Sequence, residues 1–231
     1  MDILLDRIIG QEPGELSSAE IKRQLTVAAG QPIVVRIHSE GGSVFEGLAI
    51  YDALKAYAGP KKCIVESAAF SMASVFAMAF CEREITPNGY LMLHSPYTER
   101  DDTSPLLESL RKRLAEIYAE TTRKPRAFID KLMANETFLD AQESLRNGFV
   151  TAITAGSQMA LARFRDMVQR NSLFREVVLA KIKSQATAKA RWSQAVSASM
   201  AGGLDKHKAI VSVDRSHPGL RQSMIQEANA R

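Results

Sequence analysis

No charged residue occurs between Ser67 and Phe80, and the apolar run Cys63-Ile64-Val65 leads almost directly into that stretch. A segment this apolar has to be interior, and it falls short of the roughly 20 residues needed to cross a bilayer. Its pattern changes midway. The strand-like run gives way to small residues and then to Met72, Val75, Phe76 and Met78 at spacings that suit a buried helix. The chain is therefore expected to pass from a central strand into a central helix near Ser71. The first N–H groups of such a helix lack intrahelical acceptors, and the helix dipole favours negative charge there. A hydroxyl at that junction suits a nucleophile, which makes Ser71 a candidate catalytic residue and the Met72 N–H one donor to an oxyanion. The competing reading makes Ser67, Ser71 and Ser74 small residues that let a buried helix pack closely.

The flanking segments extend the same alternation. Residues 2–9 read as an opening strand ended by Gly10, and Ser17 to Glu20 offers an N-cap with an acidic residue three positions on, starting a helix through Val27. Ile33 to His38 is a β-branched strand. Ser39 to Ser43 is a turn with Gly41 and Gly42 adjacent, and Val44 to Leu54 is a helix stopped by Gly59-Pro60. Strands and helices thus alternate three times, which predicts an α/β domain of largely parallel strands with ligands at the C-terminal strand ends. Beyond the central helix, Glu84 to Gly89 reads as a short strand and turn, Tyr90 to His94 as an apolar strand, and Tyr97 to Pro105 as a loop. A long amphipathic helix carries Leu106, Leu107, Leu110, Leu114, Ile117 and Tyr118 on one face, and a second helix is expected over 126–133. Asp140 reads as the N-cap of a further helix, closed by Asn147-Gly148 before a last strand. The compact domain is expected over residues 1–155, followed by a basic helical extension over 156–200 and a partly disordered tail over 201–231.

With 231 residues and 45% hydrophobic content, the chain can bury one substantial core. Cys63 and Cys81 are its only cysteines, so neither a disulfide framework nor a cysteine-based metal site is expected, and no cofactor is implied. The first seven residues lack a basic segment leading into an apolar run, and a cytoplasmic protein without a membrane span is expected. The net charge of +4 divides unevenly: from Gly156 onward 13 lysines and arginines face 5 acids, net +8, which leaves residues 1–155 at net −4. Such a basic tail is either a solvated helix face or a surface for nucleic acid or acidic protein.

Three strand-end features converge: Gly41-Gly42 after the second strand, Ser71 after the third, and His94 after the strand that follows the central helix. A serine hydrolase needs a hydroxyl, a base for its proton, a group that orients the base, and donors for the oxyanion. Glycine suits the second donor position because the backbone must approach the substrate carbonyl closely. In Ile37 to Leu54, in the Ser71 block, in Leu91-Met92-Leu93-His94-Ser95-Pro96 and in Glu136-Thr137-Phe138-Leu139-Asp140-Ala141, the chain resembles the Clp-type serine peptidases. It resembles more closely the Clp-like head-maturation peptidases of tailed phages and prophages. The resemblance covers residues 33–152. It implies the ClpP/crotonase-type spiral of β-α-β units with a long protruding helix.

The resemblance aligns Ser71 with the nucleophile, His94 with the general base, and the N–H groups of Gly42 and Met72 with the oxyanion donors. Gly41, Ser43 and Phe70 are expected to contact substrate. The acidic member falls on Glu136, where Clp peptidases carry aspartate and the phage-type relatives tend to have Glu-Thr-aromatic. Asp140 is the alternative. Other departures are His38 and Glu40 in place of Asn and Pro, Ser67 in place of Gly, and Phe70 in place of Ala, the last able to narrow the site.

The leading expectation is a serine endopeptidase acting on phage capsid or scaffold protein, in the bacterial cytoplasm or the phage prohead. A homo-oligomeric ring is implied, and a Clp-type unfoldase is a partner the resemblance admits. A second reading is an assembly or scaffolding protein that keeps the peptidase fold, with binding done by the basic tail, nucleic acid included. A third is a crotonase-type acyl-CoA enzyme, which leaves Ser71 and His94 at matching strand ends unexplained.

Overall fold

Strand β2, Ile33–Ser39, lies between β1, Asp2–Leu5, and β3, Lys61–Phe70, in a parallel sheet. Its register sets Val35 against Ile3 and Cys63, and Ile37 against Leu5 and Val65, all 0% exposed. Alternation along each strand thus sends one set of apolar side chains into a common layer. The computed structural model describes residues 1–97 and 104–181, together with 195–197, 200, 210, 212, 213 and 219. They belong to two compact units, Met1–Met167 and Val168–Arg231. The first unit therefore runs past the boundary expected at residue 155.

Helices α1, Ser18–Ala28, and α2, Val44–Ala56, connect the first three strands, as the alternation predicts. Each starts where a serine caps it: the Ser17 hydroxyl accepts from the Glu20 N–H at 3.3 Å, and the Ser43 hydroxyl from the Glu46 N–H at 3.4 Å. Strand β3 is longer than the apolar triplet suggests. Its first half pairs with β4, Glu82–Ile85, and its last residues, Ala68 to Phe70, pair with β5, Tyr90–Leu93. One strand thereby serves two successive neighbours on the same side. Helix α3, Met72–Ala77, follows after a single junction residue, Ser71. From Met78 to Phe80 the backbone continues in turns whose N–H groups reach back three residues.

Helix α4, Pro105–Thr122, is capped by the Ser104 hydroxyl and packs Leu107, Leu114, Ile117 and Tyr118 inward. Leu106, expected on that face, is instead 58% exposed, because a position directly before an inward Leu107 turns about 100° away around the helix. Helix α5, Arg126–Ala134, leads to β6, Thr137–Asp140, which returns antiparallel along β5. Helix α6, Ala141–Arg146, then leads to β7, Ala152–Ile153, on the far side of β4. The Arg83 guanidinium holds this edge, donating to the carbonyls of Phe80, Phe149 and Gly148.

Helix α7, Gln158–Arg170, begins within the first unit. Arg163 pairs with Glu66, a carboxylate only 3% exposed that also meets Arg36 at 3.0 Å, and Phe164 stacks on Tyr90 with ring centroids 6.4 Å apart. Residues 172–181 are helical, whereas most of 182–231 lies outside the described residues. Both cysteines are free, Cys63 buried and Cys81 exposed. No helix among the described residues is long and apolar enough to cross a membrane.

Candidate active site

Ser71 stands between β3 and α3 at φ 52° and ψ −126°, a backbone conformation that residues with a side chain rarely adopt. Its N–H donates to the Met92 carbonyl at 2.9 Å, which ties the junction to β5 two residues before His94. That tie brings two distant strand ends together. The Ser71 hydroxyl lies 2.7 Å from Nε2 of His94. His94 is half-buried, and its pKa lies below the ordinary histidine value of 6.5 because burial disfavours the imidazolium. The charge of Glu136 and a backbone hydrogen bond with Ser95 work in the opposite direction.

Glu136 reaches the site from the turn that precedes β6. The antiparallel register sets Leu93 against Thr137 and Tyr90 against Asp140, and Glu136 directly precedes Thr137 as His94 directly follows Leu93. Glu136 itself has φ 45° and is exposed, and no described hydrogen bond joins its carboxylate to His94. Asp140 stands four positions further along the ladder, about 13 Å at an ordinary strand rise. Its side chain caps α6, accepting from the Glu143 N–H at 2.8 Å while the Glu143 carboxylate accepts from the Asp140 N–H at 3.0 Å. The cap role read from the sequence accounts for it.

The glycine turn forms the opposite wall. At Gly41, with φ 95°, an added Cβ would lie 2.7 Å from both the Phe70 carbonyl oxygen and Cβ of Ser71. At Gly42, with φ 140°, it would lie 2.2 Å from the Ile9 carbonyl oxygen. No other residue fits either place without moving backbone. The chain before Gly10 is fastened here as well, Ile9 donating to the Gly41 carbonyl and accepting from the Ser43 N–H, each at 2.8 Å. The N–H groups of Gly42 and Met72 have no acceptor among the described residues.

Ser71, His94, Gly41, Gly42, Ser43, Met72 and Glu136 all line one cleft of about 490 Å³. Its remaining wall is mostly apolar: Ile8, Val44, Val75, Met92, Leu114 and the ring of Tyr118. Phe70, expected at the substrate, lies elsewhere. It is 1% exposed and packs edge-on against Phe138 at 5.3 Å, because alternation along β3 turns it into the packed face away from the junction. His38 is likewise outside the cleft, with its Nδ1 2.8 Å from the Ser67 hydroxyl. Sequence reasoning overlooked the apolar wall, whose residues come from five separate elements or loops and share no local pattern. It read Ser74 only as a small packing residue, whereas the Ser74 hydroxyl donates to the Ser71 carbonyl at 2.6 Å, a three-residue spacing within one helical turn. No group of three His, Cys, Asp or Glu side chains among the described residues is arranged to hold a metal ion.

The chain is similar to known proteins in sequence and in fold. The family model described as Clp protease matches residues 3–157. A proteolytic subunit 1 of the ATP-dependent Clp protease from Chlamydia muridarum is 32% identical over 168 residues, 65% of this chain and 88% of the relative. The proteolytic subunit of the ATP-dependent Clp protease from Oenothera elata subsp. hookeri is 31% identical over 156 residues, 63% of each chain. Among solved structures, a ClpP1 mutant from Listeria monocytogenes superposes with a TM-score of 0.60 at 25% identity, covering 69% of this chain and 94% of that one.

Proposed function

Since the chain belongs to the Clp protease family, we propose that it is a serine endopeptidase whose catalytic residues are Ser71, His94 and Glu136. The observation that carries the reading is the 2.7 Å contact between the Ser71 hydroxyl and Nε2 of His94, made at a strained strand-to-helix turn. Neutral His94 takes the Ser71 proton as Oγ attacks the scissile carbonyl. The oxyanion that forms meets the N–H groups of Gly42 and Met72, at the positive end of α3. The imidazolium returns its proton to the leaving amine, and water then releases the acyl group by the same steps in reverse. Glu136 acts on the charged intermediate, since its negative charge favours the imidazolium that burial opposes. The apolar cleft wall suits an extended chain with an apolar side chain beside the scissile bond.

The substrate side of the proposal is capsid or scaffold protein of an assembling phage shell. Its support is the Glu136-Thr137-Phe138 sequence, which resembles the phage-type peptidases, and a basic extension outside the matched residues 3–157. Self-assembly into a ring and service to a Clp-type unfoldase follow the family. One observation favours a second reading, a catalytically weak assembly protein: Glu136 is exposed and not hydrogen-bonded to His94. Hydrolysis of a fluorogenic peptide by the purified protein separates the two. Turnover that Ser71→Ala abolishes, with an unchanged circular dichroism spectrum, supports the peptidase; equal rates in both proteins sink it.

A further inference from the structure

The peptide joining Ser71 to Met72 is held through its carbonyl. That carbonyl accepts two hydrogen bonds from Ser74, one from the backbone N–H at 3.0 Å and one from the hydroxyl at 2.6 Å. The Ser74 hydroxyl also lies 2.6 Å from the hydroxyl of Tyr118 on α4. Ser74 is 0% exposed and Tyr118 2%, so this is an interior chain of polar groups rather than a solvated one. Proton counting gives it a direction. A serine hydroxyl has one proton, and here the Ser71 carbonyl takes it, so the Tyr118 O–H is the donor to Oγ of Ser74.

In a trans peptide the C=O and N–H lie in one rigid plane and point in opposite directions. Anchoring the Ser71 carbonyl therefore fixes where the Met72 N–H points, at a residue whose φ and ψ would otherwise relax toward commoner values. Donation into a carbonyl also strengthens the N–H of the same peptide as a donor, an effect that accumulates along a hydrogen-bonded chain. We infer that Ser74 and Tyr118 are positioning residues: the relay from Tyr118 O–H through Ser74 O–H to the Ser71 carbonyl aims the Met72 N–H at the developing oxyanion. The inference rests on Ser71 being the nucleophile. It gives α4 a part in catalysis, because the helix that packs beside the cleft also supplies the terminal donor of the relay.

A buried pair with only a packing role would change stability and leave the chemistry of the folded protein alone. Steady-state peptide hydrolysis and inhibition by a peptide aldehyde, which forms the tetrahedral adduct, tell the two apart in full-length Ser74→Ala, Tyr118→Phe, the double variant and Ser71→Ala. Ser74→Ala is expected to lower kcat about 10-fold or more and Tyr118→Phe about threefold, each with KM within about twofold of wild type. Aldehyde affinity should weaken by the same factors as kcat/KM. The double variant should be no slower than Ser74→Ala, because Tyr118 acts only through Ser74. Should Ser74→Ala fail to fold, the near-isosteric Tyr118→Phe decides by the same criteria. Losses confined to KM, or kcat of the folded single variants unchanged while Ser71→Ala is inactive, overturn the relay. Activity surviving in Ser71→Ala overturns the nucleophile assignment and the relay with it.

Discussion

Ser71 holds a conformation that costs a residue with a side chain about 1–3 kcal/mol, so the surrounding structure must impose it. The constraints are visible on both sides: the Ser71 N–H bound to Met92, the carbonyl bound to Ser74, and Gly41 packed against its Cβ. The result is a hydroxyl aimed at His94 and away from the packed strand. His94 is kept neutral by burial, which sets the pH behaviour. Its folded pKa lies below 6.5, so kcat/KM should rise with pH through a midpoint under that value. Glu136→Gln removes a charge that raises this pKa, and the midpoint should move lower still; an upward shift would contradict the stated balance. The same variant should lower kcat about 100-fold or more if Glu136 is the acidic member. Asp140→Asn should instead cost about 1 kcal/mol of stability or less, as loss of charge at a helix cap does, with kcat nearly intact. The opposite pattern in the two variants would transfer the catalytic role to Asp140.

Strand β3 shows why some of this was legible in the sequence and some was not. Parallel strands bring their C-terminal ends to one edge whatever lies between them, so Gly42, Ser71 and His94 could be grouped from element order alone. The length of β3 could not be read. Ser67-Ala68-Ala69 has weak strand propensity, and pairing with β5 from Ala68 to Phe70 and with Ser39 of β2 at Ala69 keeps it extended. Phe70 was misjudged for the same reason: proximity in sequence placed it at the site, while the alternation of an unrecognised strand turns it away. Glu136 and Asp140 could be distinguished only once the register of β6 on β5 was known. The β4–β7 edge depends on a side chain that sequence reasoning never singled out. Arg83→Met would leave the buried carbonyls of Phe80 and Phe149 and the half-buried carbonyl of Gly148 without that donor, and should lower unfolding free energy by about 2–4 kcal/mol in urea titration. A change below about 0.5 kcal/mol would show that these bonds are replaced by water at no cost.

For the molecule as a whole, the chain's basic end now has a structural starting point. Removing residues 157–231 would strip Arg163 from the buried Glu66 carboxylate, so a clean test of the tail truncates after Arg170 instead. If the proposed capsid or scaffold substrate is right, the full-length protein should cosediment with it, and the version ending at Arg170 should hydrolyse small peptides equally well yet fail to bind. Equal binding by both would reduce the tail to a solvated appendage. The ring expected of the family cannot rest on the whole apolar stripe of α4, since Leu114 and Ile117 are buried within their own unit at 4% and 0% exposure. Light scattering at micromolar concentration should still report an oligomer, and a monomer would rule the ring out.

The central claim is that Ser71 is a nucleophile activated by His94. Mass-spectrometric mapping of the adduct formed with a fluorophosphonate tests it most directly, because such reagents trap an activated serine. The adduct should form on Ser71 in the wild-type protein, slow about 100-fold or more in His94→Ala, and disappear in Ser71→Ala. An adduct on Ser67 or Ser74, or none on a folded wild-type protein, would contradict it.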